Sequence, residues 1–492
     1  MVAALNAYGL RVVMDVVYNH TTSAGQADKS VLDKIVPDYY QRLDGSGHVE
    51  MSTCCANTAT EHHMMEKLMV DSVLTWAVQY KVDSFRFDLM GHHSKANIEK
   101  VRDALHALIL EKDGIDGSSI YLYGEGWNFG EVADNQRFEQ ATQANMGRGS
   151  GVGTFNDRIR DAVRGGEHDD SGIRHVQRQG FVNGLYYDPN GENSGSPEEK
   201  EKLLQLTDLL RAGLAGNLAG YRLVDRTGEE VPASKIDYHG QAAAYASDPQ
   251  ESVNYIAAHD NETLFDINQY KLPESTTMSD RVRVINLANS LVMLSQGVPF
   301  FHAGQDMLRS KSLDRNSFDS GDWFNLLDFS YQENGWARGL PPKWDNEANW
   351  VVAGPFLARP ELASGPPEIH AARVHMKEML MIRKSSELFR LRSAKDVMHR
   401  LEFHNTGPDQ VPGLIVMSLR GDDDGLMVLF NATPVEQAYP YMKGGNFILH
   451  PVQQDSLDPV VKTAQFDNEE SVFHVPARTT AVFILQATGY LN

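Results

Sequence analysis

Over its first three quarters the chain repeats one theme: an amphipathic stretch, a short apolar run, then polar loop residues. "LRVVMDVVYNH" (10–20) reads as a strand, and "EHHMMEKLMVDSVLTWAVQY" (61–80) as a helix with apolar residues at three-to-four spacing. "VDSFRFDLM" (82–90), a strand with alternating faces, is followed by a helix, "KANIEKVRDALHALIL" (95–110), and another strand, "SIYLYGEGW" (119–127). A long irregular region comes next. Beyond it stand "SVNYIAAHDNETL" (252–264) as a strand, a helix over 280–295 and "GVPFFHAGQD" (297–306) as a further strand. Strands alternating with helices predict a parallel sheet with crossover helices, either a (β/α)8 barrel or a doubly wound sheet.

The pattern changes after about residue 385. "GLIVMSL", "GLMVLFN", "NFILHPV", "SVFHVP" and "TTAVFIL" are short β runs separated by turns such as "GDDDG" and "KGG". A proline-rich crossing, "GPFLARPELASGPPEIH" (354–370), precedes them. The reading is therefore two domains, 1–385 and a C-terminal β-sandwich over 386–492. The opening, "MVAALNAYGLRVVMDVVYNHT", is a helix end, a stop at Gly9 and a strand. Starting in mid-architecture, it predicts a fragment or an incomplete gene model.

Bulk properties narrow the partners. The chain has 492 residues, 66 acidic against 45 basic, for a net charge of −21. With no compensating Lys/Arg block it would be repelled by a phosphate backbone, so nucleic acid is excluded as a partner. The longest apolar stretch, 284–304, is interrupted by Asn286, Asn289, Ser290, Ser295 and Gln296, so no membrane span is expected. The two cysteines, Cys54 and Cys55, are adjacent; they make no disulfide framework and are read as reduced, buried or half-buried side chains.

Four strands end in a polar cluster: Asp15 with Asn19 and His20; Arg86 with Asp88; Glu125 with Trp127; His259 with Asp260 and Asn261. One Arg–Asp pair inside a strand is an ordinary buried ion pair. Four strands delivering carboxylates, imidazoles and a guanidinium at equivalent ends point instead to one functional face, the C-terminal face of a barrel. Three carboxylates with two histidines and an arginine suit glycoside hydrolysis, which needs one carboxylate below the anomeric carbon and one carboxylic acid at the leaving oxygen. Zinc catalysis lacks its spacing: there is no HExxH or HxH, and "EHHMMEK" puts two histidines side by side. "GRGSGVG" (147–153) lacks the GK[ST] ending of a phosphate loop and reads as a flexible glycine loop.

At these residues the chain resembles the α-amylase clan, glycoside hydrolase family thirteen. "DVVYNH", "FRFDLMGH", "YGEGW" and "AAHDN" resemble its four signatures in the clan's order. Within the clan it resembles plant-type limit dextrinases and pullulanases, which debranch starch-derived glucans at α-1,6 bonds. "ANTATEHHMMEKLMVDSVLTWAVQYKVDSFRFDLMGH", "GEGWNFGEVADNQR", "GTFNDRIRDAVRGG", "VPFFHAGQDMLRSKSLDRNSFDSGDWFN" and "GLPPKW" carry that likeness over nearly the whole chain.

The resemblance implies a (β/α)8 catalytic barrel, here without its first two strands, and a retaining double displacement. Asp88 is then the nucleophile, Glu125 the acid/base and Asp260 the carboxylate that holds the sugar hydroxyls. Arg86 keeps Asp88 ionised, His20 and His259 donate hydrogen bonds to the sugar, and Asp15 braces the floor. Glu125 must stay protonated near neutral pH, so an apolar wall and nearby carboxylates are expected to raise its pKa. Trp127 and Phe129 are expected to stack on glucose rings, and Arg315 to touch the leaving chain. No cofactor is required. Calcium occurs in the clan, but no DxDxDG loop places it here.

Three departures bear on specificity: Cys55 where plant relatives tend to have Met, "GGEHDD" (165–170) for "GGNPF", and Ala348 in "NEANW" for a carboxylate. An α-1,4-acting hydrolase of amylase type, a non-catalytic glucan-binding fragment and a sugar-transporter heavy chain borrow the same barrel. "FFHAGQDMLRSKS" and "SGDWFN" speak against the first, the presence of Asp88 and Glu125 against the second, and the missing membrane anchor against the third. The implied partners are a branched α-glucan and an N-terminal portion bearing a carbohydrate-binding module. Asn-x-Thr sequons at Asn19 and Asn261 fall inside the candidate site, where a glycan would block substrate, which disfavours the eukaryotic secretory route. The plant likeness implies the plastid stroma, with a secreted bacterial enzyme as the alternative.

Overall fold

A computed structural model describes residues 1–422 and 424–486. The chain divides into two compact units. The first comprises Met1–Phe155 with Tyr245–Val253, and the second Asn156–Ala244 with the chain from Asn254 onward.

The first unit is built on parallel strands. Val13–Val16, Ser84–Phe87, Tyr121–Gly124 and Gly153–Asn156 lie side by side in chain order, with Ser252–Asn254 next. Every residue of Ser84–Phe87 is buried, as befits a strand covered on both faces. Phe85 and Phe87 pack with Val16, Val82, Met90, Ile120 and Leu122. Two helices cover this core. His63–Tyr80 buries Met65, Met69, Val73 and Ala77, spaced four residues apart, and ends where Lys81 turns left-handed with φ +58°. Lys95–His106 starts at Ser94, whose hydroxyl accepts the Asn97 N–H, and buries Ile98, Val101 and Leu105.

The region read as irregular contains more order than expected. It supplies the Gly153–Asn156 strand and, in the second unit, the 18-residue helix Pro197–Leu214. That helix carries a capping box from Ser196 and Glu199 with proline at its first turn. Ser252–Asn254 is the reverse case: the strand spans three residues, and His259 and Asp260 lie in the segment beyond it. Helices Met278–Met293 and Pro366–Ser385 follow in the second unit.

From Leu401 to Leu485 the second unit is mostly β. Five strands pair antiparallel in the order Leu401–His404, Leu414–Arg420, Gly425–Asn431, Thr479–Leu485 and Phe447–Leu449. A three-stranded sheet, Gln437–Pro440, Val472–Val475 and Gln465–Asp467, adjoins them. Phe473 lies at the centre of the shared core, 4.4 Å from Phe466, 5.1 Å from Phe447 and 4.9 Å from Phe483 between ring centroids.

Candidate active site

Register places the chemistry. In the parallel ladder Asp15 pairs with Arg86 and Arg86 with Tyr123. The Asp88 and Glu125 N–H groups then donate to the carbonyls of Val16 and Phe87, one strand over. Asp88 and Glu125 thus leave adjacent strands at the same height, immediately past their C-terminal ends.

Arg86 joins them. Its Nη1 is 2.8 Å from Asp15 Oδ1 and 3.0 Å from Asp88 Oδ1, and its Nη2 is 2.9 Å from Glu125 Oε1. Burial alone would lower the guanidinium's pKa, but the facing carboxylates of Glu125, Asp15 and Asp88 outweigh it and raise it, so Arg86 is a permanent cation. Asp88 is fixed from its other side too: Asn19 Nδ2 donates to Oδ2 at 3.0 Å and to the Asp88 carbonyl at 2.7 Å. Asn19 Oδ1 in turn accepts from His20 Nδ1. Burial lowers the His20 pKa against the opposing pull of Asp88, which favours the neutral ring.

Two features of this first unit are absent from the sequence reading. The strand alternation stops at Phe87, because Leu89 is left-handed with φ +39°, a conformation that strains a bulky residue. That turn aims the Leu89 N–H at Glu125 Oε2, 2.8 Å away. Glu125 therefore faces a cation and an N–H donor, where the sequence leads us to expect an apolar wall and carboxylates. The second feature is a buried charge network. Arg42 reaches Glu61 and Glu131, each at 2.8 Å, and donates to the His92 carbonyl at 3.0 Å. Burial pushes the Glu131 pKa up, but hydrogen bonds from Arg42 and Ser52 prevail and hold it at about 2. His92, driven down to about 4 by burial, touches Ser52 at 3.1 Å and lies 4.5 Å from the Phe129 ring. Only the finished fold brings these residues together, so no local motif announces them.

Trp127 is half-buried on the same loop as Phe129. Gly91 lets this loop close in: a Cβ there would stand 2.0 Å from the Trp127 carbonyl oxygen. Cys54 and Cys55, expected as free thiols, are bonded to each other, Cys54 exposed and Cys55 half-buried. Neighbouring residues hold their Cα atoms only 3.8 Å apart, closer than in most disulfides, which is why adjacency argued against a bond. With His20 they are the group, among the described residues, whose ligand atoms approach closely enough to hold a metal ion.

The second unit carries His259, Asp260 and Arg315. His259 and Asp260 are exposed, with His259 Nδ1 3.7 Å from Asp260 Oδ2. Asp260 forms an isolated backbone bridge with Asn316, which brings Arg315 beside it. Lys311 Nζ steadies the segment by donating to the carbonyls of His259 and Asn261. Arg315 Nη2 and Asn261 Nδ2 both donate to the His168 carbonyl, in the loop that departs from the plant pattern. Two residues past Asp260, Glu262 is buried 3.4 Å from His175. Burial would raise its pKa, but His175 and Arg164 bring it below the usual value.

Comparison with known proteins shows what the chain is similar to. Residues 331–486 match the family "Alpha-1,6-glucosidases, pullulanase-type, C-terminal". The chain is 49% identical to pullulanase 1, chloroplastic, of Arabidopsis thaliana over 99% of this chain and 52% of that protein. It is 41% identical to a Klebsiella pneumoniae pullulanase over 97% of this chain and 43% of that one. The fold superposes on the crystal structure of Klebsiella pneumoniae pullulanase complexed with maltotriose with a TM-score of 0.92, at 40% identity, covering 99% of this chain and 46% of the other. The chain spans about half the length of the curated relatives it matches. A C-terminal match to the pullulanase-type family and alignment over nearly all of this chain agree: the chain is similar to the matching half of these pullulanases.

Proposed function

We propose that the chain carries the catalytic machinery of a retaining glycoside hydrolase that cuts α-1,6 branch linkages in pullulan and starch-derived glucans. One observation carries this reading most: a single buried guanidinium, Arg86, grips both Asp88 and Glu125 at the same height on neighbouring parallel strands. Two carboxyls sharing one guanidinium fit the close spacing, about 5–5.5 Å, of a nucleophile and an acid/base in retaining enzymes. The strands running in chain order support a (β/α)8 barrel, whose C-terminal face is where such residues collect.

In the reaction so read, an Asp88 oxygen attacks the anomeric carbon while Glu125 protonates the departing 6-oxygen of the branch point. Water then enters, gives its proton to Glu125 and releases the sugar from Asp88. Arg86 and Asn19 hold Asp88 from both oxygens, so the nucleophile is aimed before substrate arrives. Arg86 and the Leu89 N–H hold the two oxygens of Glu125, so the acid/base is also positioned before substrate arrives. His20 and His259 would donate to sugar hydroxyls, Asp260 would hold them, and Asp15 would brace Arg86. Trp127 and Phe129 would offer ring faces, and Arg315 would meet the leaving chain. No cofactor enters these steps. A plastid location is supported by the chloroplastic name of the Arabidopsis relative.

The test is product analysis on pullulan, with Asp88→Asn as the blank. Maltotriose from the parent protein and none from the variant supports the reading. Products of α-1,4 cleavage, or maltotriose that survives Asp88→Asn, would overturn it.

A further inference from the structure

The Cys54–Cys55 pair stands beside His20 and supplies none of the reacting groups of the proposed hydrolysis. Cys54 is exposed, so a reductant in solution reaches the bond. Its neighbour is His20, whose Nε2 lies 3.5 Å from Cys54 Sγ. The hydrogen bonds define that ring's tautomer. Asn19 commits its Nδ2 to Asp88, so its Oδ1, an acceptor only, faces His20 Nδ1. Nδ1 therefore carries the proton, and the Nε2 lone pair is directed toward the sulfur. The ligand atoms of His20, Cys54 and Cys55 all lie within 4.8 Å of one another.

These distances suit a soft cation. Zinc bonds of about 2.3 Å to sulfur and about 2.0 Å to nitrogen, at a tetrahedral angle, place the two ligand atoms about 3.5 Å apart. His20 Nε2 and Cys54 Sγ already have that spacing. We propose that, once a dithiol reduces the Cys54–Cys55 bond, the two sulfurs and His20 Nε2 form a three-ligand site for a thiophilic divalent cation of the zinc or cadmium type, its fourth position open to solvent.

The chemistry balances. The external dithiol gives up two electrons and becomes a disulfide; the Cys54–Cys55 bond breaks, and the dithiol's two protons pass to the two sulfurs. Cation binding then releases those protons to solvent as two sulfur–metal bonds form, while His20 contributes a lone pair and no proton. A bound cation would take His20 away from the sugar, so the occupied site would inhibit. That consequence rests on the hydrolase reading; the binding does not.

The test titrates the reduced, intact protein with Cd²⁺, followed by the ultraviolet thiolate-to-cadmium absorption and by equilibrium dialysis. One equivalent should bind with the band of two thiolates, and the oxidised protein should give no band. Cys54→Ser and Cys55→Ser should each weaken binding at least tenfold. His20→Ala should also weaken it at least tenfold while retaining the band, with circular dichroism verifying that each variant is folded. Failure of the reduced protein to bind one equivalent, or an affinity unchanged by His20→Ala, would overturn the site. In a preparation active on pullulan, one equivalent of Cd²⁺ should abolish hydrolysis and a chelator restore it; binding with undiminished hydrolysis would overturn the inhibitory role. A metal-free protein that binds cadmium yet never hydrolyses pullulan would count against the hydrolase reading alone.

Discussion

At the scale of single residues the site turns on Arg86, which contacts Asp15, Asp88 and Glu125 from a position with 7% side-chain exposure. Removing it leaves three carboxylates facing one another. Arg86→Ala should cost about 3 kcal/mol in denaturant unfolding, the lower end for breaking a buried pair, because Asp15 is half exposed and can rehydrate. Arg86→Lys keeps the charge but loses the two-armed grip, since a lysine offers a point charge where arginine offers a planar fork. It should lower kcat on pullulan by roughly 100-fold through misplacement of Asp88 and Glu125. A lysine variant with parental kcat would show that the fork geometry does not matter. Much of this was legible in "FRFDLMG": alternation separated Phe85 and Phe87 from Arg86, and the charges at the strand's end marked it as unusual. The left-handed turn at Leu89 was not legible, because nothing about leucine advertises a positive φ.

At the scale of elements, each unit has a buried network that holds loops within that unit. In the first unit Glu131 sits between Arg42, Ser52 and Asn57, with its pKa held at about 2 against an ordinary 4.5. A carboxylate whose pKa is depressed on folding adds stability above its unfolded pKa and loses it as pH falls through the folded one. Urea midpoints should therefore fall between pH 4.5 and 2 in the parent more steeply than in Glu131→Gln; parallel curves would contradict the network's role. In the second unit Lys271, wholly buried, donates to the carbonyls of Gly165 and Arg178 and so ties down both flanks of the His168 loop. Burial brings its pKa down to about 7 from 10.5, so folding disfavours the charged amine. The cost is complete below pH 7 and vanishes as pH rises toward 10.5, so stability attributable to this residue rises across that window. Lys271→Met should flatten that rise, and an unchanged slope between pH 7 and 10 would refute the assignment. Neither network could be read from the sequence, since Arg42 and Glu131 are 89 residues apart. The helix Pro197–Leu214 is different: its Ser-Pro-Glu-Glu start and its buried leucines were available, but lay within a stretch dominated by loop residues.

At the scale of the whole molecule, the change from alternating strands and helices to short antiparallel β runs was visible in the apolar periods alone, because each architecture has its own repeat. The five β runs named from the sequence all became strands, from Leu414–Arg420 to Thr479–Leu485. The cysteine pair was misread because spacing rules describe disulfides between distant residues and say little about adjacent ones. For the molecule as a unit, the net charge of −21 favours an uncharged polymer over an anionic one. A branched glucan is such a polymer.

The proposed double displacement requires Asp88 to form a covalent bond to the sugar. The most direct measurement is peptide mass spectrometry after treatment with a fluorinated glycosyl fluoride, which slows release of the intermediate. One glycosyl adduct is expected on the peptide containing Asp88, absent from Asp88→Asn. An adduct confined to Glu125, or turnover of the reagent with no adduct at any carboxylate, would contradict it.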